Sequence, residues 1–246
     1  MSNPQGANPQ DITAAILAGG LGTRLRSVLG DLPKALAPVA GRPFLAYQLD
    51  WLKAQGICRV ILCTGYRHDL IHARFADGAG HGLDIRYSIE ERPLGTAGAL
   101  LGARHMLKGT FLVVNGDTYF DADLPVLVAY HRTGHALATL SLVRVDHAGR
   151  FGAVSLDGKG NVTRFTEKRR SGASLINAGV YVCEPAIFEH LPGRVPLSLE
   201  AEVFPDLAAS GVLRGCVLPG YHKDIGLPES YAQFQQDVVR LQIVKE

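Results

Sequence analysis

Cysteine is scarce in this chain. The four residues, Cys58, Cys63, Cys183 and Cys216, stand apart in apolar runs and form no Cys-x-x-Cys pair. That leaves no signature of zinc or redox work and reads as small buried hydrophobes in a reducing compartment. Long hydrophobic runs are missing too, with none near the about twenty residues that cross a bilayer. The start, MSNPQGANPQD, has neither the basic segment nor the apolar core of a secretory signal. An excess of one charge is also absent. The chain sets 25 Lys and Arg against 23 Asp and Glu, for a net charge of +2, so there is no basic stripe for nucleic acid and no polybasic membrane patch. These absences predict a cytoplasmic protein that binds neither nucleic acid nor membrane. Residues 1–11 are expected to be a flexible tail and residues 12–246 one domain.

What is present is a large apolar fraction, 47% of 246 residues, and 28 glycines. Such a chain can bury a sizeable core as an α/β domain. Strand-like runs alternate with helical periodicity: strands at Thr13–Leu17, Arg59–Thr64, Leu83–Ser88 and Phe111–Val114, and helices at Phe44–Gln55, His68–Phe75 and Thr96–Leu107. That rhythm predicts a mostly parallel sheet covered on both faces. After Ala136 the chain turns strand-rich, and its DG and GKGN turns predict hairpins added to one side of the sheet. Helices are expected again at Pro185–His190, Leu199–Ala209 and Pro228–Val244. In open α/β sheets ligands sit at the carboxyl ends of strands, so the loops after strands are where chemistry is sought.

The first such loop is LAGGLGTRLRSVLGDLPKAL, Leu17–Leu36. Gly19, Gly20 and Gly22 allow a backbone to approach a ligand that a β-carbon would push away. A Walker loop would need Gly-Lys-Ser/Thr, and a dinucleotide fingerprint would need a third glycine where Leu25 stands. Neither is present. A tight strand-to-helix turn would use the same glycines, but Arg24 and Lys34 add a planar fork and a point charge, suited to two phosphoryl groups. Arg26 could join them or remain a solvated surface residue.

Three further stretches carry polar chemistry. VVNGDTYFD places Asp117 at a strand end, and YHKDIGLPES places Asp224 before the closing helix. Both are hard oxygen ligands of the kind Mg²⁺ takes, with Asp121 and Asp123 as alternatives that also suit helix capping near Pro125. RFTEKRR supplies Glu167 and Lys168, and LINAGVYV supplies Asn177, residue types that read sugar hydroxyls and a phosphate. An exposed salt bridge is the plainer account of the Glu-Lys pair. YSIEERPLGTAGAL carries Glu90 and Glu91 before a Gly95–Thr96 turn. A carboxylate accepts from guanine N1–H and N2 amine, and the small residues Gly95, Ala97 and Gly98 leave room for a flat base. The His68/His72 and His131/His135 pairs lack the HExxH glutamate and read as solvated helix faces.

Taken in order, LAGGLGTRLR…LPKAL, PLGTAGAL, NGD, FTEK, NAGVYV and DIGLPESY resemble the sugar-1-phosphate nucleotidyltransferase family over nearly the whole chain. Within it the chain is most similar to guanylyltransferases acting on mannose-type sugars, heptoses included. The resemblance implies a Rossmann-like, GT-A-like mixed sheet and transfer of a nucleotidyl group from GTP to a sugar 1-phosphate, with Mg²⁺ as cofactor and a homo-oligomer possible. Leu17, Gly19, Gly20, Gly22, Thr23, Arg24, Glu90, Gly95 and Thr96 would bind the nucleotide. Arg24, Lys34 and Asp117 would act on the reacting phosphates, and Asp117 with Asp224 would hold the metal. Asn115, Gly152, Glu167, Lys168 and Asn177 would hold the sugar phosphate. Leu227 stands where the family usually has Thr, and Phe151 where Tyr is frequent. A thymidylyl- or uridylyltransferase and a non-catalytic sugar-nucleotide sensor are the rival readings. No appended hexapeptide-repeat acyltransferase is expected. On the heptose reading the product would feed a bacterial surface polysaccharide.

Overall fold

The computed structural model describes residues 12–147, 152–166, 171–241 and 243. Its first half is a succession of crossovers: β1 (Thr13–Leu17), α1 (Arg26–Leu29), a small ribbon of β2 (Pro38–Val39) and β3 (Arg42–Pro43), α2 (Phe44–Ala54), β4 (Arg59–Thr64), α3 (His68–Phe75), β5 (Asp84–Ile89), α4 (Gly95–Ala103) and β6 (Phe111–Asn115). β1 lies between β4 and β6 and runs parallel to both, with Ile16 opposite Leu62 and Val114. These central strands are unbroken apolar runs because helices cover both of their faces.

The second half begins with β7 (Thr118–Phe120), α5 (Leu124–Arg132) and β8 (Ala138–His147), and continues with β9 (Ala153–Leu156), β10 (Val162–Thr166) and β11 (Ser171–Cys183). α6 (Phe204–Ala209), β12 (Leu213–Val217), β13 (His222–Asp224) and α7 (Pro228–Arg240) complete it. β11 enters the sheet antiparallel, with Tyr181 opposite Val113 of β6 on one side and Leu140 of β8 on the other. β12 then pairs parallel with β8. The main sheet therefore runs β5-β4-β1-β6-β11-β8-β12, with β9 and β10 attached alongside β11.

One expectation is met and one changes here. First, antiparallel strands are added on one side of the parallel ones: β11 and β8 continue the sheet beyond β6, where Leu140, Leu142, Val180 and Val182 are buried. Only β9–β10 hangs outside, closed by a turn in which Asp157 accepts from the N–H of Lys159 and Asn161. Second, His131 is not on a solvated face. It is 2% exposed, with Nδ1 2.7 Å from Thr139 Oγ1 and Nε2 3.1 Å from Glu184 Oε1. His72 does lie on an exposed face, its ring tilted at 52° against that of Tyr87.

Each face of the sheet has its own core. One gathers Phe44, Leu49, Ile16, Val114 and Phe234 beneath α2 and α7, and the other gathers Phe111, Leu100, Tyr181 and Phe204 beneath α4 and α6. α7 buries Tyr231, Phe234 and Val238, the one-sided stripe of a closing helix, and ends at Arg240. Asp123 caps α5 by accepting from Val126 N at 3.0 Å, as its position suggested, whereas Asp121 gives its N–H to Tyr221 O. Cys63, Cys183 and Cys216 are buried and all four cysteines are free thiols. Burial pushes the Cys63 thiol up to about 12, with Glu90 adding to it, so it stays protonated and unreactive.

Candidate active site

The carboxyl ends of β1, β5 and β6 open into a cleft of about 380 Å³. The glycine loop forms its floor. Ala18 N donates to Cys63 O, which holds the loop's first residue on the sheet before the chain swings outward. Gly22 has φ +61°, a left-handed conformation that glycine adopts without strain, and it leads into the turn Thr23–Leu25 that Leu25 anchors in the core. Gly19 is small for a different reason: a Cβ there would lie 2.6 Å from Glu90 Oε1. Glu90 therefore lies against the loop. Its other oxygen accepts from Leu94 N at 3.1 Å, and burial raises its carboxyl above the ordinary range, only partly opposed by that bond.

Leu17, Gly19, Gly20, Glu90, Gly95 and Thr96 all border the cleft. Gly22, Thr23 and Arg24 do not. Arg24 and Thr23 are exposed on the turn just beyond it. Glu91 is exposed and Glu90 alone faces inward. The small residues after Glu90 have a packing cause: a Cβ on Gly95 would meet Leu197 O at 2.4 Å, and one on Gly98 would meet Val195 Cγ1 at 3.0 Å. Ala97 and Gly98 are buried beneath that crossing segment, so of the three only Gly95 borders the cleft.

At the other wall stand the charges. Lys34, set by Pro33 at the start of a short turn, donates from Nζ to Asp117 Oδ2 at 2.7 Å. Asp117 follows β6, where a side chain on Gly116 would collide with Leu17 O at 2.3 Å, so the loop can only lie flat on β1. β13 pairs with β7 so that Asp224 sits opposite Thr118, and Ile225 N donates to Asp117 O at 2.9 Å. The two carboxylates then flank Gly226: a Cβ there would be 2.7 Å from Asp224 Oδ1 and 3.8 Å from Asp117 Oδ2.

That cradle fits a hard divalent cation. Mg²⁺ takes one or two carboxylates and completes its shell with water and phosphate oxygens. Lys34, Glu90, Asp117 and Glu200 all face the cleft, with Asp224 beside it. With one lysine among four carboxylates, a polyphosphate would meet net repulsion unless a cation came with it. Among the described residues no group of three or more His, Cys, Asp or Glu is placed to hold a metal, so a carboxylate pair is the donor set available.

The far end holds a network that the sequence did not announce. Tyr181 is fully buried at its hydroxyl end among Asn177, which donates at 2.8 Å, Asn115, which donates at 3.2 Å, and Glu200, which accepts at 3.2 Å. Burial, with the nearby Glu200 charge, holds this phenol well above its ordinary value, so it remains a neutral donor. Glu200 also accepts from Thr96 Oγ1 at 2.8 Å, and Thr96 Oγ1 in turn accepts from Leu199 N. Thr96 is thereby committed to holding Glu200 against α4. Glu200 was missed because it follows Ser198, whose hydroxyl accepts from Ala201 N; such a pattern reads as an ordinary helix start. Asn177 does not border the cleft but is tied through Tyr181 to Asn115 and Glu200, which do, and Gly152 is exposed just before β9, outside the cleft wall. Glu167 and Lys168 lie outside the described residues.

Known proteins resemble this chain in sequence and in fold. The nucleotidyl transferase family model matches residues 13–240. The chain is 41% identical to the mannose-1-phosphate guanylyltransferase of Mycobacterium tuberculosis over 93% of its own length and 65% of that protein's, so it spans less than two thirds of that relative. It is 38% identical to the D-glycero-alpha-D-manno-heptose 1-phosphate guanylyltransferase of Campylobacter jejuni, over 90% of this chain and 97% of the relative. Among solved structures, HddC from Yersinia pseudotuberculosis superposes with a TM-score of 0.82 at 34% identity, covering 92% of this chain and 99% of that one, and has also been solved in complex with GMP-PN. A mostly parallel sheet with one antiparallel strand, a glycine loop at its carboxyl edge and a match across residues 13–240 lead to one conclusion: the chain belongs to the nucleotidyl transferase family.

Proposed function

We propose that this protein is a sugar-1-phosphate guanylyltransferase, which joins GTP to D-glycero-α-D-manno-heptose 1-phosphate and releases pyrophosphate, with residues 12–246 as one catalytic domain. The observation that carries the reading is the placement of the Glu90 carboxylate against Gly19, in the same cleft as the Lys34–Asp117 pair. An acceptor for the base and a charged centre for phosphates then lie at two walls of one cleft. The heptose enzymes of the family support the choice of sugar at 38% identity.

In the reaction, an oxygen of the sugar 1-phosphate attacks the α-phosphorus of GTP. The new P–O bond forms as the bond from the α-phosphorus to the bridging oxygen breaks, and the electron pair leaves with pyrophosphate. The attacking oxygen is already anionic at neutral pH, so no general base is needed, and rate comes from alignment and charge neutralisation. Gly19 and Gly20 give the triphosphate close backbone approach. Lys34 stays near the reacting phosphates because Asp117 holds its ammonium. Arg24, on the turn beyond, closes over the polyphosphate tail. Asp117 and Asp224 would hold Mg²⁺, which neutralises two phosphate groups that otherwise repel. Glu200, backed by Thr96, Asn115 and Tyr181, offers a carboxylate to sugar hydroxyls, and Asn177 sets the same network from β11.

The test is pyrophosphate release with Mg²⁺ across GTP, ATP, UTP, CTP and dTTP, each offered with the heptose 1-phosphate and with mannose 1-phosphate. Release with GTP and the heptose is expected. Release with GTP and mannose alone would favour the second reading, a mannose-1-phosphate guanylyltransferase, which the 41% identity to the M. tuberculosis enzyme supports. Release only with dTTP or UTP would overturn the role given to Glu90, and no release at all would favour a non-catalytic sensor.

A further inference from the structure

α2 is a core helix with polar teeth. Phe44, Leu45, Tyr47, Leu49 and Leu52 are all buried, yet Gln48 stands among them fully buried, with Trp51 and Gln55 following at helical spacing. All three spend their polar atoms on one stretch of backbone. Gln48 Nε2 donates to Asn115 O at 2.8 Å and to Thr118 O at 2.7 Å. Trp51 Nε1 donates to Ala122 O at 3.2 Å, and Gln55 Oε1 accepts from Leu124 N at 3.2 Å. Residues one turn apart on a helix share a face, so the ladder tracks the segment from residue 115 to residue 124 along α2.

The Gln48 rung is the unusual one. Its amide straddles Asp117, gripping the carbonyls of Asn115 and Thr118 on either side. In doing so it leaves Oε1 buried without a partner. Turning the amide over would set Oε1 against two carbonyl oxygens, so its orientation is fixed by the clamp. The orphan Oε1 opposes folding, whereas Nε2 serves two backbone carbonyls that an apolar side chain would leave without this donor. What the glutamine adds over an apolar residue is therefore a hold on the backbone to either side of Asp117.

We propose that Gln48 is a positioning residue for the metal-binding carboxylate: it sets the curvature of the Asn115–Thr118 backbone so that the Asp117 side chain meets Asp224 across Gly226. This rests on the reading of Asp117 and Asp224 as the Mg²⁺ pair. The loop has further anchors, from Gly116 N to Leu17 O and from Ile225 N to Asp117 O. Losing the clamp should loosen the carboxylate without abolishing the loop. Residues that orient a metal ligand from behind are worth about 10- to 100-fold in metal affinity or activity, and a partly redundant one belongs at the lower end.

The experiment titrates Mn²⁺ into the full-length protein with GTP, following free Mn²⁺ by electron paramagnetic resonance, and runs thermal melts and steady-state kinetics in parallel. Gln48→Met, which keeps the volume and removes the donors, is expected to raise the Mn²⁺ Kd about tenfold and lower kcat comparably at fixed Mg²⁺. KM for the sugar 1-phosphate should stay within about twofold. Trp51→Phe removes the neighbouring rung and is expected to lower the thermal midpoint while leaving the Mn²⁺ Kd unchanged. If Gln48→Met does not fold, Gln48→Asn, whose amide is one methylene short, should give a smaller rise in Mn²⁺ Kd. Asp117→Asn separates the two levels. If it binds Mn²⁺ like the wild type, the metal reading falls and the positioning role with it. If it loses Mn²⁺ while the Gln48 variant keeps wild-type affinity, or if Trp51→Phe shifts Mn²⁺ as much as Gln48→Met, the positioning role alone is overturned.

Discussion

The parallel half of the sheet and the half built around the antiparallel β11 differ in how they make a binding surface. On β1, β5 and β6 the groups facing the cleft come from short segments directly after strands: the glycine loop, Glu90, and Asp117. Around β11 no single segment suffices. Asn115 from β6, Asn177 and Tyr181 from β11, and Glu200 from the segment before α6 meet through hydrogen bonds. On the proposed reading, the first half offers backbone and the Lys34–Asp117 pair to phosphates. The second would offer an ordered polar network, which is what distinguishing one hydroxyl pattern from another requires. Thr96 joins them, lying on α4 beside Gly95 and bonded to Glu200.

Breaking the seam at the metal pair should have the largest effect. Asp224→Asn keeps the shape and removes the charge beside Gly226, and turnover is expected to fall by about 10²- to 10³-fold with the melting temperature little changed. Pyrophosphate release at saturating Mg²⁺ measures it. Next comes Gly95→Ala. Its φ of +76° and the 2.4 Å approach to Leu197 O leave no room for a methyl group. A loss of about 3 kcal/mol in denaturant stability is expected, with weaker binding of both substrates because the displaced segment runs on to Glu200. Arg24→Lys is smaller. Arg24 is exposed and outside the cleft wall, so replacing its fork by a point charge should raise KM for GTP about three- to tenfold and leave the sugar KM alone.

The smallest effect lies far from the cleft. The hydrogen bond from His131 holds Glu184 below the ordinary carboxylate range, against the opposing effect of burial. A lowered carboxyl contributes stability that is present above its unfolded value and is lost as pH falls through the folded value. Glu184→Gln should therefore melt a few degrees lower than wild type at pH 7, with the gap closing on acidification through the carboxylate range. Scanning calorimetry from pH 7 to pH 3 checks the sign.

This division also explains what the sequence made legible. The bounds of β1, β4 and α3 were readable because their apolar periodicity is local, and the glycine loop was readable because its chemistry lies within one segment. The position of β11 between β6 and β8 was not, since antiparallel insertion depends on pairing with strands many residues away in sequence. Glu200 falls in the first turn of the expected helix Leu199–Ala209 and Gln48 inside the expected helix Phe44–Gln55, and neither pattern points to the distant groups they bond. His131 reads as a surface residue in the sequence because its partners, Thr139 and Glu184, lie on other elements. The small residues Gly95, Ala97 and Gly98 suggested space for a base, but the segment Val195–Leu197 accounts for the tightness at Gly95 and Gly98.

The central claim is that Glu90 reads the base and Glu200 reads the sugar. The most direct test is a crossed measurement of kcat/KM for GTP against ATP, and for the heptose 1-phosphate against mannose 1-phosphate, in Glu90→Gln and Glu200→Gln. The account predicts that Glu90→Gln narrows the GTP preference about tenfold or more while sparing the sugar ratio, and that Glu200→Gln does the reverse. Its raised carboxyl adds a check on Glu90: the wild type should lose GTP preference on acidification at a higher pH than an ordinary glutamate would, because protonation removes the acceptor. Equal shifts of both ratios in both variants would contradict the division of labour.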